Sequence, residues 1–299
     1  MASLTDWQLD FAGVVIGSGT PYKVADIAGL MGTPEQRSQD MDLPTEDGAF
    51  PGVDLYSPRT VSIDVGVRTP GDPAAATDAV AALERAVDTP AIRKDAGDLA
   101  VLRVRWPGRN TVRRLFGRAR MVETASLSQI RYGWVPLTLT FVATDPGWFE
   151  DVEQTLRLPL SLSSTELGFK APITPPITTG VVDPELRSGW LTNGGDRPTW
   201  PTLTIQGPVV NPRIVCAQTG RALALNYAIK SGEKLVIETR PGTRWVLHDG
   251  RNASTALTSS SRLDLFQLPV GQSEITWTGS DYSNSTRLTV AWRDAYTAL

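Results

Sequence analysis

The side chains most often used for catalysis and metal binding are scarce in this sequence, which has one histidine, His248, and one cysteine, Cys216. Zinc centres built from imidazole and thiolate need three or four such ligands, so the sequence excludes a structural zinc site of that kind. A Ser-His-Asp or Cys-His arrangement would have to use His248. Because His248 stands where a predicted strand runs into the Asp249-Gly250 turn, we interpret it as a surface or capping residue. The sequence predicts no catalytic residue, metal or cofactor.

Carboxylates are the remaining groups that could do chemistry. An acid such as Glu233 or Asp249 could serve a carboxylate-pair glycosidase, but no motif surrounds either residue. The segment from Asp40 to Gly48 has acids near the spacing of a calcium loop. It departs from the EF-hand pattern because Pro44 takes the third ligand position and the glycine comes late. We interpret it as a mobile acidic loop, and we predict that the chain is not an enzyme.

Seven arginines within 18 residues form the densest charge feature: Arg103, Arg105, Arg109, Arg113, Arg114, Arg118 and Arg120. Such a cluster can bind phosphates, face solvent on a hairpin, or pair with carboxylates of a neighbouring subunit. The net charge of −3 opposes general affinity for nucleic acid. Trp106 and Phe116 fall at alternating strand positions, which is typical of buried side chains. We favour inter-subunit contact; a solvated hairpin face and the lining of a DNA channel are the alternatives.

The length of 299 residues favours two domains. No apolar run approaches the roughly 18 residues that a membrane span needs. The first residues lack the basic and apolar regions of a secretion signal. Together with the single cysteine, this predicts assembly in a reducing cytoplasm. We expect no membrane partner and no sequence-specific binding of nucleic acid.

Residues 1–155 are predicted to form a β-rich domain with one helix. The helix begins at Asp72-Pro73, an N-cap followed by a proline in the first turn, and ends at Asp88-Thr89-Pro90. Period-two alternation of apolar residues predicts strands on both sides of it. The clearest strands are at 59–67, 99–106, 115–123 and 134–142.

Residues 156–197 contain many prolines and are predicted to be an extended connector. Residues 198–299 are predicted to form a second, almost purely β domain. Short apolar runs, including one at 263–266, recur every 8 to 15 residues between glycine turns. That spacing is typical of a β-sandwich or jelly roll. We expect each half to fold alone.

Several short motifs in the second half occur in an order typical of one family. They are Asn211-Pro212-Arg213-Ile214, Thr219-Gly220-Arg221, Leu223-Ala224-Leu225, the segment 232–239, Asp249-Gly250, Leu268-Pro269-Val270-Gly271 and the segment 288–295. In the first half, Ile27-Ala28-Gly29-Leu30, Asp40-Met41-Asp42, Gly48, Arg59 and the single helix follow in order. This pattern resembles the distal tail proteins of siphophages, particularly those of phages that infect actinobacteria.

The resemblance implies a structural protein of the virion tail tip. It implies a first domain similar to the tail-tube fold, which forms a homo-hexameric ring around a channel, and a galectin-like β-sandwich as the second. The partners it implies are further copies of the chain, the tail tube protein above and the tail-tip hub protein below, with the tape measure protein as a further candidate.

A galectin-like fold raises the alternative of an accessory tail protein that binds carbohydrate at the host surface. Indole rings suit the apolar faces of sugars. Trp200 and Trp277 are the candidate contacts, although the strand position of Trp277 also fits core packing. Fold similarity does not transfer sugar binding by itself.

Overall fold

The computed structural model describes residues 3–95, 97–160, 189–281, 283 and 285–299. The chain folds into two compact units. The first comprises Met1–Val152 together with Tyr296–Leu299, and the second comprises Glu153–Ala295. The first unit therefore ends close to the predicted boundary at residue 155, but it also includes the last residues of the sequence.

The first unit is organised around one antiparallel sheet. Its strands are β1 (Gln8–Phe11), β2 (Val14–Gly17), β3 (Tyr22–Ala28), β4 (Gln36–Arg37), β5 (Met41–Asp42), β6 (Ala49–Phe50), β7 (Leu55–Tyr56), β8 (Arg59–Arg68), β9 (Ala100–Arg105), β10 (Arg113–Thr124), β11 (Trp134–Ala143) and β12 (Trp148–Glu150). The main sheet has the order β2-β1-β9-β10-β11-β8-β3, and β12 also pairs with β10. The strands β4 to β7 form two separate two-stranded ladders.

Alternation along β8 and β11 produces the core of this unit. The inward residues of β8 are Val61, Ile63, Val65 and Val67, and those of β11 are Val135, Leu137, Leu139 and Phe141, all of them buried. The two strands pair along their full length, so these side chains form one continuous apolar face. The strands predicted from alternation at 59–67 and 134–142 are confirmed.

Helix α1 (Pro73–Val87) begins where the sequence predicts. The Asp72 side chain accepts a hydrogen bond from the backbone N–H of Ala75 at 2.9 Å. Ala76 and Leu83 are fully buried in the core of the first unit. A second, single-turn helix, α2 (Pro90–Lys94), follows. Among the described residues, no helix has the length and apolarity needed to span a membrane.

The second unit consists of two antiparallel sheets with an apolar core. Its strands are β13 (Gln154–Pro159), β14 (Trp190–Asn193), β15 (Thr202–Gln206), β16 (Val209–Cys216), β17 (Arg221–Ala224), β18 (Ala228–Ile229), β19 (Lys234–Glu238), β20 (Trp245–His248), β21 (Arg251–Asn252), β22 (Gly271–Ser280) and β23 (Arg287–Trp292). One sheet has the order β13-β23-β15-β19-β20-β21, and the other has the order β14-β22-β16-β17, with β18 paired to β16. A last short strand, β24, spans Ala295–Tyr296. The predicted fold class, mainly β with one helix, is confirmed, and α2 adds a single helical turn.

Two sequence predictions need correction. Both described ends of the segment 156–197, predicted as a connector, are strands of the second unit, because β13 pairs with β23 and β14 with β22. The middle of that segment, 161–188, lies outside the described residues. The run 263–266, predicted as a strand, contains a 3-10 helix at Leu263–Leu265 instead. Its apolar residues are too few to separate a period of two from a period of three.

The first prediction concerns the limits of the second unit. A fragment of residues 153–295 should be soluble and should unfold cooperatively, because it retains β13 and β14. A fragment of residues 198–299 should be less stable or aggregate, because it lacks Leu158 and Leu191 of the core and exposes the edges of β22 and β23. Circular dichroism melting of both fragments is the measurement. Equal stability of the two would show that β13 and β14 are dispensable.

Candidate functional site

Two of the seven clustered arginines lie in a buried row of charges across the first sheet. Asp10 on β1 is opposite Arg103 on β9, and Arg103 is opposite Arg114 on β10. Cross-strand partners point to the same side of a sheet, so the register brings one acid and two arginines together. The Arg103 guanidinium donates to Asp10 Oδ2 at 3.0 Å. All three residues are less than a tenth exposed.

Asp151, directly after β12, completes this charge network. Its carboxylate accepts two hydrogen bonds from Arg103, at 2.9 and 2.7 Å, and further bonds from Arg114. Burial acts to raise the pKa of Asp151, but the hydrogen bonds and charges of the two arginines outweigh it and hold that pKa below 3.8. The bond to Asp151 raises the pKa of Arg103 in turn. Two acids and two arginines therefore form a charge-balanced group inside the fold.

Arg109 and Arg113 bind the returning end of the chain. Arg109 donates to the carbonyl of Leu299 at 2.7 Å, and Arg113 donates to the carbonyl of Ala298. The Arg113 guanidinium also lies 3.6 Å from the centre of the Tyr296 ring, a cation–π contact. These contacts hold residues 296–299 within the first unit.

The remaining arginines are more accessible. Arg105 pairs with Asp6 at 3.0 Å, Arg118 donates to the Asp95 carbonyl at 2.8 Å, and Arg120 is exposed. Of the seven, only Arg103, Arg113 and Arg114 are buried, and each has partners in its own chain, which accounts for these three within the fold. Inter-subunit contact stays a prediction. The side chains that remain at least partly accessible for it are those of Arg105, Arg109, Arg118 and Arg120.

The acidic loop predicted at 40–48 is part of a longer β-hairpin, which we call the arm (residues 33–57). In it β4 pairs with β7 and β5 with β6, and the Asp40 carboxylate accepts from the Gly52 N–H at 2.8 Å. Buried Arg59 fixes the base of the arm by donating to the carbonyls of Gly29 and Gly32, each at 2.9 Å. The prediction of a mobile loop overlooked this pairing because its strands are only two residues long.

The arm is exposed along its length and carries apolar side chains. Every residue from 35 to 56 is exposed. Met41, Phe50 and Val53 expose 66, 61 and 63% of their surface. A two-stranded hairpin of this kind is marginally stable alone in water. Exposed apolar groups on such a hairpin make it a candidate interaction surface.

The two tryptophans predicted as carbohydrate contacts differ in position. Trp277 is 1% exposed, and its Nε1–H donates to the Pro159 carbonyl at 2.8 Å. It is a core residue and offers no ring face to a ligand, which corrects that candidate. Trp200 is half-buried beneath the Arg244 guanidinium, 5.7 Å from the ring centre. Trp190, 48% exposed on edge strand β14, was missed because it lay in the predicted connector.

Comparison with protein families gives a match over residues 194–296. The matching family is the siphovirus-type tail component, C-terminal domain. The resemblance to siphophage tail proteins inferred from the sequence is confirmed by this match. None of the curated proteins compared with the chain gave a significant match.

Solved structures are similar to this chain over nearly its whole length. The crystal structure of the Dit protein of phage SPP1, described as a paradigm of the hub adsorption apparatus in phages that infect Gram-positive bacteria, has a TM-score of 0.56 at 14% identity. That match covers 96% of this chain and 98% of the SPP1 protein. A chain of the phage P2 baseplate, activated with calcium, has a TM-score of 0.54 at 9% identity, with 93% of each chain covered. The strontium form gives 0.53 at 10% identity, with the same coverage of both chains. At these identities the likeness shows a shared fold.

The second prediction concerns the charge network of the first unit. Asp151→Asn should destabilise the first unit by about 3 kcal/mol, because it leaves two buried arginines with insufficient negative charge. Since the pKa of Asp151 is lowered by folding, its contribution is complete above about pH 4 and is lost as the pH falls through the lowered value. Urea unfolding at pH 7 and at pH 3 is the measurement.

Asp88→Asn is the matched control for this change. Asp88 pairs with Arg93, but the two side chains are 68 and 60% exposed. Removing such a surface pair should change the free energy of unfolding by less than about 1 kcal/mol. If the two variants lost equal stability at pH 7, the buried network would have no special role.

Proposed function

We propose that this chain is the distal tail protein of a siphophage and forms a homo-hexameric ring that joins the tail tube to the tail-tip hub. One observation carries the proposal: a tail component domain at 194–296 stands in a chain that shares its fold with SPP1 Dit over 96% of its length. A ring suits this role because closed cyclic symmetry satisfies every head-to-tail interface, whereas an unclosed contact of the same type gives a filament.

In this proposal the role is structural and not enzymatic. The first unit is tail-tube-like and forms the ring, and the second is a galectin-like sandwich. The partners are further copies of the chain, the tail tube protein and the hub protein, with the tape measure protein as a further candidate. Assembly takes place in the host cytoplasm, and the mature location is the virion tail tip.

The arm supports self-association. Its residues gain little from their own chain, since none from 35 to 56 is buried. Covering Met41, Phe50 and Val53 would remove a large apolar surface from water, at about 25 cal/mol for each Å². A neighbouring copy in a ring is a partner that every arm would meet in the same way.

Charge supports the same partner. The arm has six carboxylates and one arginine: Glu35, Asp40, Asp42, Glu46, Asp47, Asp54 and Arg37. The first unit exposes Arg109, Arg120 and Arg131. An acidic arm from one copy and exposed arginines of the next would attract each other, and their pairing would fix which surfaces meet. This gives the accessible members of the arginine cluster the inter-subunit role predicted from the sequence.

The third prediction tests assembly. Wild-type protein at micromolar concentration should scatter light as a particle of about six times 32.4 kDa, or as two such rings. The double change Phe50→Asp and Val53→Asp should reduce it to monomers, because charges would replace the apolar contacts. Circular dichroism should be unchanged, since both side chains are exposed.

Val270→Asp is the control, since Val270 is 49% exposed but lies in the second unit. It should leave the hexamer intact. A hexamer that survives the double change would remove the arm from the interface. A wild-type protein that stays monomeric both alone and with tail tube protein would count against the ring itself.

Carbohydrate contact is the second candidate function, and the position of Trp190 favours it. The ring is 48% exposed on an edge strand. Its cross-strand partner is Glu274, so a carboxylate lies on the same side of the sheet. An indole beside an acid can stack on a sugar ring and accept hydrogen bonds from its hydroxyls.

The fourth prediction concerns this surface. If the second unit binds cell-surface sugars, a glycan array should give specific signals that Trp190→Ala removes. Leu265→Ala should keep those signals, because Leu265 is also exposed but is not part of this surface. An array without signals for wild-type protein would reject the carbohydrate function and leave the structural one unaffected.

A further inference from the structure

Three side chains capable of binding a metal meet in the second unit. His248 Nε2 lies 3.1 Å from Glu233 Oε2 and 3.9 Å from Asp249 Oδ2. One ligand atom from each of the three lies within 4.8 Å of the other two. Among the described residues, no other group of three histidine, cysteine or acidic side chains meets this condition.

Two tight turns hold the carboxylates in place. Asp249 and Gly250 form the two-residue turn between β20 and β21, with φ of 46° and 81°, as in a type I′ hairpin. Asp249 Oδ1 accepts from the Lys234 N–H at 3.1 Å, and the Asp249 N–H donates to the Lys234 carbonyl at 3.1 Å. Glu233 Oε2 accepts from the Lys230 N–H at 2.8 Å. Each carboxylate is therefore held in position by a hydrogen bond from a backbone N–H group.

Tyr227 positions the imidazole. Its hydroxyl lies 3.0 Å from His248 Nδ1, and the two rings pack edge to face with centroids 5.3 Å apart. A hydroxyl can donate or accept. When it accepts from Nδ1–H, the Nε2 lone pair points towards the two carboxylates. A metal-bound histidine usually has a partner of this kind on its other nitrogen, which fixes the tautomer.

The spacing suits a small divalent ion. Bonds of 2.0–2.2 Å from zinc to nitrogen and oxygen, in tetrahedral geometry, place ligand atoms about 3.4 Å apart. The observed separations of 3.1 and 3.9 Å from Nε2 bracket that value. The side chains of His248, Glu233 and Asp249 are 21, 28 and 50% exposed, so an ion and a water as fourth ligand can reach them. Two carboxylates also neutralise a charge of +2.

We propose that Glu233, His248 and Asp249 form a binding site for a divalent transition metal of the zinc class. Imidazole favours zinc over calcium, which prefers six to eight oxygen ligands. The bound ion would link the turn at 230–233 to the β20–β21 hairpin and so fasten two loops of the sandwich. The sequence argument against zinc counted only histidine and cysteine as ligands, and it overlooked the Glu233 carboxylate, which is 15 residues from His248 along the chain.

The experiment uses the full, untagged chain, because a histidine tag binds zinc itself. Titration with zinc chloride should show one ion bound per chain, and the melting temperature of the second unit should rise as the site fills. Cobalt(II) should give a d–d absorption spectrum of a four-coordinate ion. Zinc should displace cobalt and remove that spectrum.

Variants of each proposed ligand test its role. Glu233→Gln and Asp249→Asn should each weaken zinc binding at least tenfold, and His248→Ala should abolish the cobalt spectrum. Tyr227→Phe should weaken binding about tenfold, the lower end of the effect of removing such an outer partner. Glu153→Gln, which removes a 47% exposed acid of the same unit, should change nothing. Absence of saturable zinc binding, or binding that survives Glu233→Gln combined with Asp249→Asn, would overturn the proposal.

Discussion

Two buried arginines of the first unit need a carboxylate partner, and Asp151 supplies it to both. Two guanidinium groups lie on one face of its sheet, and burying either without a carboxylate would cost several kcal/mol. Asp151 supplies that carboxylate to both Arg103 and Arg114, and Asp10 supplies a second one to Arg103. Because Asp151 is next to the last residue before the chain enters the second unit, the same ion pairs fix the point of exit.

Local sequence signals were sufficient for helix α1 and for the long strands of the first unit. The N-cap at Asp72 and the proline after it located helix α1, and alternation along β8 and β11 identified the buried face of the sheet. These elements were predictable because each signal lies within a few residues of the structure it specifies. The same argument failed at 263–266, where four residues were too few to define a period.

The arm was missed because its strands are only two residues long. The charge network could not be predicted from local signals, because its members are distant in the sequence. Asp10 is 93 residues from Arg103, and Asp151 is 48 residues from it. Seven arginines in one segment therefore indicated a surface, since an arginine without a known partner is rarely buried. The family match at 194–296 lies within the second unit. The arm lies in the first unit, so its role is inferred from the shared fold and from its exposed apolar residues.

The return of residues 296–299 to the first unit has a consequence for biosynthesis. Residues 153–295 form an insertion within the first unit, and the ribosome must make all of them before Tyr296 can reach Arg113. Until then the nascent first unit lacks one cation–π contact and two carbonyl acceptors, so it emerges from the ribosome without its full set of contacts. Its completion is therefore delayed until the second unit has been synthesised.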